Sequence, residues 1–236
     1  MRPGDLSHWP RPLTPDLVVF DKLDTSEAEV AAVKATGAKV VCLEDLGPGS
    51  SLADLTVNEL YEPSRHAFDH DYTGPRWAVL RPEFCGLPEY RVREKADRVL
   101  VTFGGTDPSN LAARFVPLLR DYFNVREPGA SMAEDMRWAD LVLCSAGRTA
   151  HEAAACGVPT ITVSANERES RHTHCKGILR LGLHTLVSDE HVFSTVQRVM
   201  KDYGLRCEMS ETARAAVDGK GLRRIVSKIE SLLEGL

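Results

Sequence analysis

The sequence predicts an α/β fold with two Rossmann-like lobes, each built on a parallel sheet. Three observations predict it. Short apolar runs recur along the 236 residues, each ending in a polar or glycine-rich turn that leads into a helix-like stretch. A proline-laden stretch over residues 61 to 97 separates two groups of such units. Ala139 to Glu169 alone reads as strand, small-residue turn, helix, strand and polar loop, a complete βαβ unit.

The elements follow in chain order. Residues 1 to 15 are rich in Pro and Arg and carry no strand or helix pattern. Leu17 to Phe20 is a short strand ending at Asp21. Thr25-Ser26-Glu27 opens a helix that runs to Thr36, and Gly37 closes it. Lys39 to Leu43 is a second strand ending in Glu44-Asp45, and Leu55 to Leu60 is a third. Pro63, Pro75, Pro82 and Pro88 mark connecting chain. The lobes are therefore expected at 1–75 and 98–236, with a connector at 76–97.

In the second lobe, Arg98 to Phe103 is a strand that runs into Gly104-Gly105-Thr106 and then a helix, Leu111 to Tyr122. A helical turn is expected at Ser131 to Trp138. Leu141 to Cys144 is a buried strand, Ser145 to Thr149 a turn into a helix, and Gly157-Val158-Pro159 its stop. Thr160 to Val163 is the next strand. Beyond it the pattern predicts a helix at Arg171 to Leu181, a strand at Thr185 to Val187, and helices at Glu190 to Tyr203 and Glu208 to Leu233.

Composition excludes several classes. A net charge of −5 argues against a broad nucleic-acid-binding surface. No apolar run is long enough to span a bilayer, and the polar start Met1-Arg2-Pro3-Gly4-Asp5, with no apolar stretch after it, leads to the expectation of no secretory leader. Cys42, Cys85, Cys144, Cys156, Cys175 and Cys207 form no CxxC pair, and several sit in apolar runs as small hydrophobes. These features predict a reduced, cytoplasmic protein without a cysteine nucleophile.

Polar residues cluster where strands end, which is where open α/β sheets hold ligands. Gly104-Gly105-Thr106 permits close backbone approach to a ligand, or is an ordinary βα turn. Ser145-Ala146-Gly147-Arg148-Thr149 offers helix N-terminal amides to an anion, or Ser145 or Thr149 simply caps the helix. Together the two turns suit one diphosphate. Glu152 suits a ribose diol, or is a surface carboxylate near a helix start. Asn166, Glu167 and Glu169 lie on a substrate-facing loop or a solvated helix start, and His172 has the side chain of an acid–base group. His172 and Cys175 share a face of the expected helix and His174 is close by, but no ligand cluster surrounds them, so no metal is expected. His66, Asp69 and His70 have no partners that the sequence names.

FDKLDTSEAEVAAVKATGAKVVCLEDLGPGSSLADLTVNELY, GPRWAVLRPEF, FGGTDPSNL and ADLVLCSAGRTAHEAAACGVPTITVSANERESRH together resemble the nucleotide-sugar hydrolases of pseudaminic acid biosynthesis and the related spore-coat polysaccharide proteins. The resemblance runs from residue 16 to about 190. It implies a glycosyltransferase-B arrangement, trimmed at the N-terminal lobe, that takes a UDP-sugar as substrate and needs no cofactor. Gly104, Gly105, Thr106, Ser145, Ala146, Gly147, Arg148 and Thr149 would hold the diphosphate, Glu152 the ribose, and Asn166, with Glu167 and Glu169, the sugar. The family's Gly-x-Gly-His loop, which carries its proposed base, has no counterpart here, and His8 lies in unrelated context. Between Leu119 and Met132 there is too little chain for the strand and helix usual at that place. Asn166, His172 and Asp21, with Asp45 across the cleft, stand as candidates for the chemical step. The expected function is a UDP-sugar hydrolase or glycosyltransferase-like enzyme of surface-glycan or nonulosonic acid metabolism. The alternative is a non-catalytic nucleotide-sugar-binding protein, its N-terminal lobe completed by a second copy or a partner enzyme.

Overall fold

The computed structural model describes residues 15–61, 70–172 and 175–234. Readings on the first fourteen residues, His66, Asp69 and His174 lie outside them. The first sheet holds β1 (Leu17–Asp21), β2 (Lys39–Leu43), β3 (Leu55–Asn58) and β4 (Asp71–Thr73), in that order and all parallel. Parallel strands buried on both faces read as unbroken apolar runs, and Val40, Val41 and Cys42 of β2 have no exposure at all. Helix α1 (Glu27–Lys34) starts at a capping box between Ser26 and Glu29 and lays Val30 over Val40 and Cys42. β4 falls in the proline-laden stretch after residue 61, where no strand is expected. Its Asp71-Tyr72-Thr73 has no apolar run, so only pairing with Thr56, Val57 and Asn58 makes it a strand.

The second sheet runs β6-β5-β7-β8-β9, again all parallel. Its strands are β5 (Arg98–Thr102), β6 (Asn124–Arg126), β7 (Leu141–Cys144), β8 (Thr160–Ser164) and β9 (Ile178–Leu183). Successive residues point to opposite faces. Val99, Val101, Leu141 and Leu143 meet Phe115 and Leu119 of α2 (Leu111–Arg120) and Val192 and Val196 of α5 (Asp189–Lys201). Leu100, Val142 and Cys144 meet Met136 of α3 (Met132–Trp138), Ala153 and Ala154 of α4 (Arg148–Cys156) and Ala213 of α6 (Tyr203–Ala216).

Four expectations change. The helix expected at Arg171 to Leu181 is a 3-10 turn, Glu169–Arg171, followed by edge strand β9. The strand expected at Thr185 to Val187 is a turn. Three residues, Asn124–Arg126, suffice for a strand between Leu119 and Met132. The last helix breaks at Asp218-Gly219, where Gly219 takes φ 71° and the Asp218 carboxylate accepts from Lys220 N–H. The released segment, α7 (Gly221–Leu233), crosses to the first sheet and sets Ile225, Ile229 and Leu232 on Val41, Leu55 and Val57. By packing, then, α7 serves the N-terminal sheet although it lies late in the chain.

Candidate functional site

Strand order in the second sheet reverses beside β5, since β6 lies on one side and β7 on the other. A crevice outside the carboxyl ends of such a strand pair is the ordinary ligand position in open α/β sheets. Thr102 pairs with Cys144 at those ends, so the Gly104 and Ser145 turns leave the sheet side by side.

The two turns differ in what they offer. Gly104 takes φ 82°, a left-handed conformation suited to glycine, and Gly104, Gly105 and Thr106 are exposed. The α2 amides behind them are taken: the Asp107 carboxylate accepts from Leu111 N–H at 3.0 Å and Ala112 N–H at 2.9 Å. The α4 amides are different. Gly147 is the N-cap, no side chain caps it, and no acidic residue stands in the first turn. Neither Ser145 nor Thr149 caps this helix. The positive end of the α4 dipole is therefore open at the crevice, and Arg148 stands beside it, more than half its side chain exposed.

Glu152 is not a surface carboxylate. It is 8% exposed and accepts from Arg81 Nε at 2.8 Å and Arg81 Nη2 at 3.2 Å. Arg81 comes from the connector, pairs also with Glu83, and lies over the Phe84 ring. Arg148 Nε donates to Glu59 Oε1 at 2.6 Å. Glu59 follows β3 in the first sheet, so this ion pair bridges the lobes. Arg168 Nε donates to Tyr61 Oη at 2.9 Å and makes a second bridge. The carboxyl ends of both sheets thus face each other across these contacts.

Asn166 and Glu167 are exposed. Asn166 Oδ1 accepts from Glu169 N–H at 2.9 Å, and Glu169 Oε2 accepts from Ala165 N–H at 2.8 Å. The loop is a tight, self-bonded turn. His172 follows it and is buried. Its Nδ1 lies 2.7 Å from the Ala146 carbonyl, which only accepts, so Nδ1 carries the hydrogen and Nε2 keeps a lone pair. Nε2 has no partner, and the Tyr61 ring meets the imidazole edge-on at 5.2 Å. Burial lowers the His172 pKa and keeps the ring neutral. His151 beneath it is buried too, its pKa pushed down to about 4.

Asp21 is exposed at the end of β1 and acts electrostatically on Arg148. Asp45 is not available for chemistry: it accepts from Thr25 N–H, Thr25 Oγ1 and Gly47 N–H at 2.9, 2.5 and 2.8 Å. It pins the loop after β2. Cys175 is buried and outside any helix, so the shared helix face with His172 does not exist. Burial pushes the thiols of Cys42, Cys156 and Cys175 up to about 12, against thiolate chemistry. Glu44, Glu59, Tyr61 and Arg81 escape the sequence reading as site residues. The usable signal was positional, because Glu44 and Glu59 each follow the apolar run of a parallel strand.

Residues 98–227, more than half of the chain, match the family model described as the glycosyltransferase family 28 C-terminal domain. The spore coat polysaccharide biosynthesis protein SpsG of Bacillus subtilis is 28% identical, over 93% of this chain and 77% of its own length. Among solved structures, MurG of Acinetobacter baumannii superposes with a TM-score of 0.64 at 17% identity, covering 92% of this chain and 73% of that one. The Anabaena Alr3699/HepE protein in complex with UDP gives 0.58 at 14% identity, covering 94% and 79%. The structural likenesses show the two-lobed glycosyltransferase-B fold. No helix among the described residues is long and apolar enough to cross a membrane. The chain belongs to the glycosyltransferase family 28 C-terminal domain family.

Proposed function

We propose that the crevice binds a UDP-linked sugar and that the chain is an enzyme acting at the anomeric carbon, in the making of a surface polysaccharide. The observation that carries this reading is the uncapped N-terminus of α4 beside the exposed Gly104-Gly105 backbone, at the point where strand order reverses. Amides of Arg148 and Thr149, with Gly104, Gly105, Thr106 and the Ser145-Ala146-Gly147 turn, would hold the diphosphate. Glu152 would accept the two ribose hydroxyls. Asn166, Glu167 and Glu169 would face the sugar.

The chemistry follows from the charges. Breaking the anomeric C–O bond places negative charge on the leaving diphosphate. The α4 dipole opposes that charge in a site already formed, and the Arg148 guanidinium stands beside it. His172, neutral with its Nε2 lone pair free, and Asp21, exposed on the opposite sheet, are the groups suited to take a proton from water or an acceptor hydroxyl. Water as acceptor makes the protein a hydrolase, and a sugar hydroxyl makes it a transferase. The same pocket would serve a nonulosonic acid pathway or a spore-coat-type polysaccharide.

The test is a panel of UDP- and CMP-sugars incubated with the protein, reading released nucleotide and thermal protection. Nucleotide release from one UDP-sugar supports the enzyme. Protection by UDP without release from any sugar supports a binding protein instead, completed by a second copy or a partner. Absence of protection by both nucleotides refutes the site.

A further inference from the structure

Three carboxylates stand at the carboxyl ends of successive strands of the first sheet: Asp21 at the end of β1, Glu44 after β2 and Glu59 after β3. All three act on one guanidinium, that of Arg148. Glu59 holds it directly at 2.6 Å, and its second oxygen accepts from Val79 N–H. Glu59 is 2% exposed, so its charge depends on that one cation.

Glu44 lies behind Glu59. Its Oε1 accepts from Glu59 N–H at 2.6 Å, and its Oε2 is buried without a partner. Its backbone takes φ 54°, a strained conformation for a residue with a side chain, at a cost of order 1–3 kcal/mol. A buried carboxyl with one unused oxygen is a group suited to hold a proton. Its surroundings agree. Burial, then Glu59, raise the Glu44 pKa to about 7, against the backbone hydrogen bonds from Glu59 and Leu60 and the charge of Arg148. Glu59 is raised as well, by burial and by Glu152, while Arg148 opposes the rise.

We infer that Glu44 and Glu59 form a carboxyl pair that positions Arg148 at the mouth of α4 and takes up a proton when a nucleoside diphosphate draws that guanidinium away. The inference rests on the nucleotide reading of the crevice. In the free protein Arg148 neutralises Glu59 and part of the field on Glu44. A diphosphate at the open α4 amides competes for the same cation. As Arg148 turns to it, two buried carboxylates face each other without a counter-charge. One proton from solvent, bound at Glu44 Oε2 or shared with Glu59, restores neutrality. Glu59 is then a positioning residue, and Glu44 the proton store that lets it release Arg148.

Calorimetric titration with UDP at pH 8, in buffers of different ionisation enthalpy, counts the protons. UDP is fully ionised there and contributes none. The wild-type protein is expected to take up about half to one proton per UDP bound, and its affinity to strengthen up to roughly tenfold per pH unit lowered from 9 to 8. Glu44→Gln keeps the shape of the side chain but cannot titrate, and should lose most of the uptake; Glu44→Asp should restore part of it. UDP binding without proton uptake by the wild type overturns this inference alone. So does uptake that Glu44→Gln leaves unchanged. Absence of UDP binding by the wild type overturns the nucleotide reading, and this inference with it.

Discussion

Replacing Glu152 by alanine separates a ribose ligand from a structural ion pair. Glu152 is buried in the body of α4, and its carboxylate accepts twice from Arg81. Each oxygen keeps a lone-pair site beyond those contacts, enough for two vicinal hydroxyls. The structural loss is modest. The Arg81 side chain is 53% exposed and returns to water, so the ion pair stabilises the fold by about 0–1 kcal/mol. On that scale the melting temperature falls by roughly 2–4 °C at most. The binding loss is larger, because hydrogen bonds to a charged group contribute about 1.5–3 kcal/mol each and partly overlap for a diol. A combined loss of about 2–4 kcal/mol weakens UDP roughly 30- to 1000-fold. Pyrophosphate, which has no ribose, should bind the variant as it binds the wild type. Calorimetry with both ligands gives the comparison. An unchanged UDP affinity, or equal losses for UDP and pyrophosphate, would refute the ribose assignment.

Two predictions concern the scaffold. His151 is buried neutral with its pKa near 4, below the ordinary value of about 6.5. A depressed histidine contributes stability that is complete above pH 6.5 and lost as pH falls toward 4, roughly 3 kcal/mol in all; urea midpoints measured from pH 7.5 to 4.5 should fall more steeply in the wild type than in His151→Gln. Gly177 takes φ 84°, and an added Cβ would overlap the backbone of Ala213 in α6, so Gly177→Ala should cost more than about 2 kcal/mol in urea unfolding; a loss below about 0.5 kcal/mol would show that α6 does not seat there.

Much of the fold was legible because parallel strands leave a strong mark. The run Leu141 to Cys144, bounded by Ser145 and followed by Gly157-Val158-Pro159, placed β7, α4 and β8 within a residue or two. At 171–183 the sequence is ambiguous, because Ile178, Leu179 and Leu181 fit a helical spacing as well as a strand. What decides the matter is pairing with β8, and the irregular register there with Gly182. The break before α7 has its signal in the sequence: Asp218-Gly219 is a turn dipeptide inside an otherwise amphipathic run. At the site, glycine turns and the position of Glu152 could be read from local order. The partners of Arg148 and Glu152 could not. Glu59 is 89 residues from Arg148, and Arg81 is 71 from Glu152. Contacts at such separations carry no periodic signal.

Helix α7 gives the molecule an order of assembly. On the ribosome, Val41, Leu55 and Val57 emerge long before Ile225, Ile229 and Leu232, the residues that seal their face of the sheet. Until then the early strands hold an uncovered apolar surface, attractive to chaperones and to other nascent chains. A chain cut short before residue 221 would keep that surface indefinitely. The first sheet would therefore carry the mark of an interruption before residue 221, far from it in sequence.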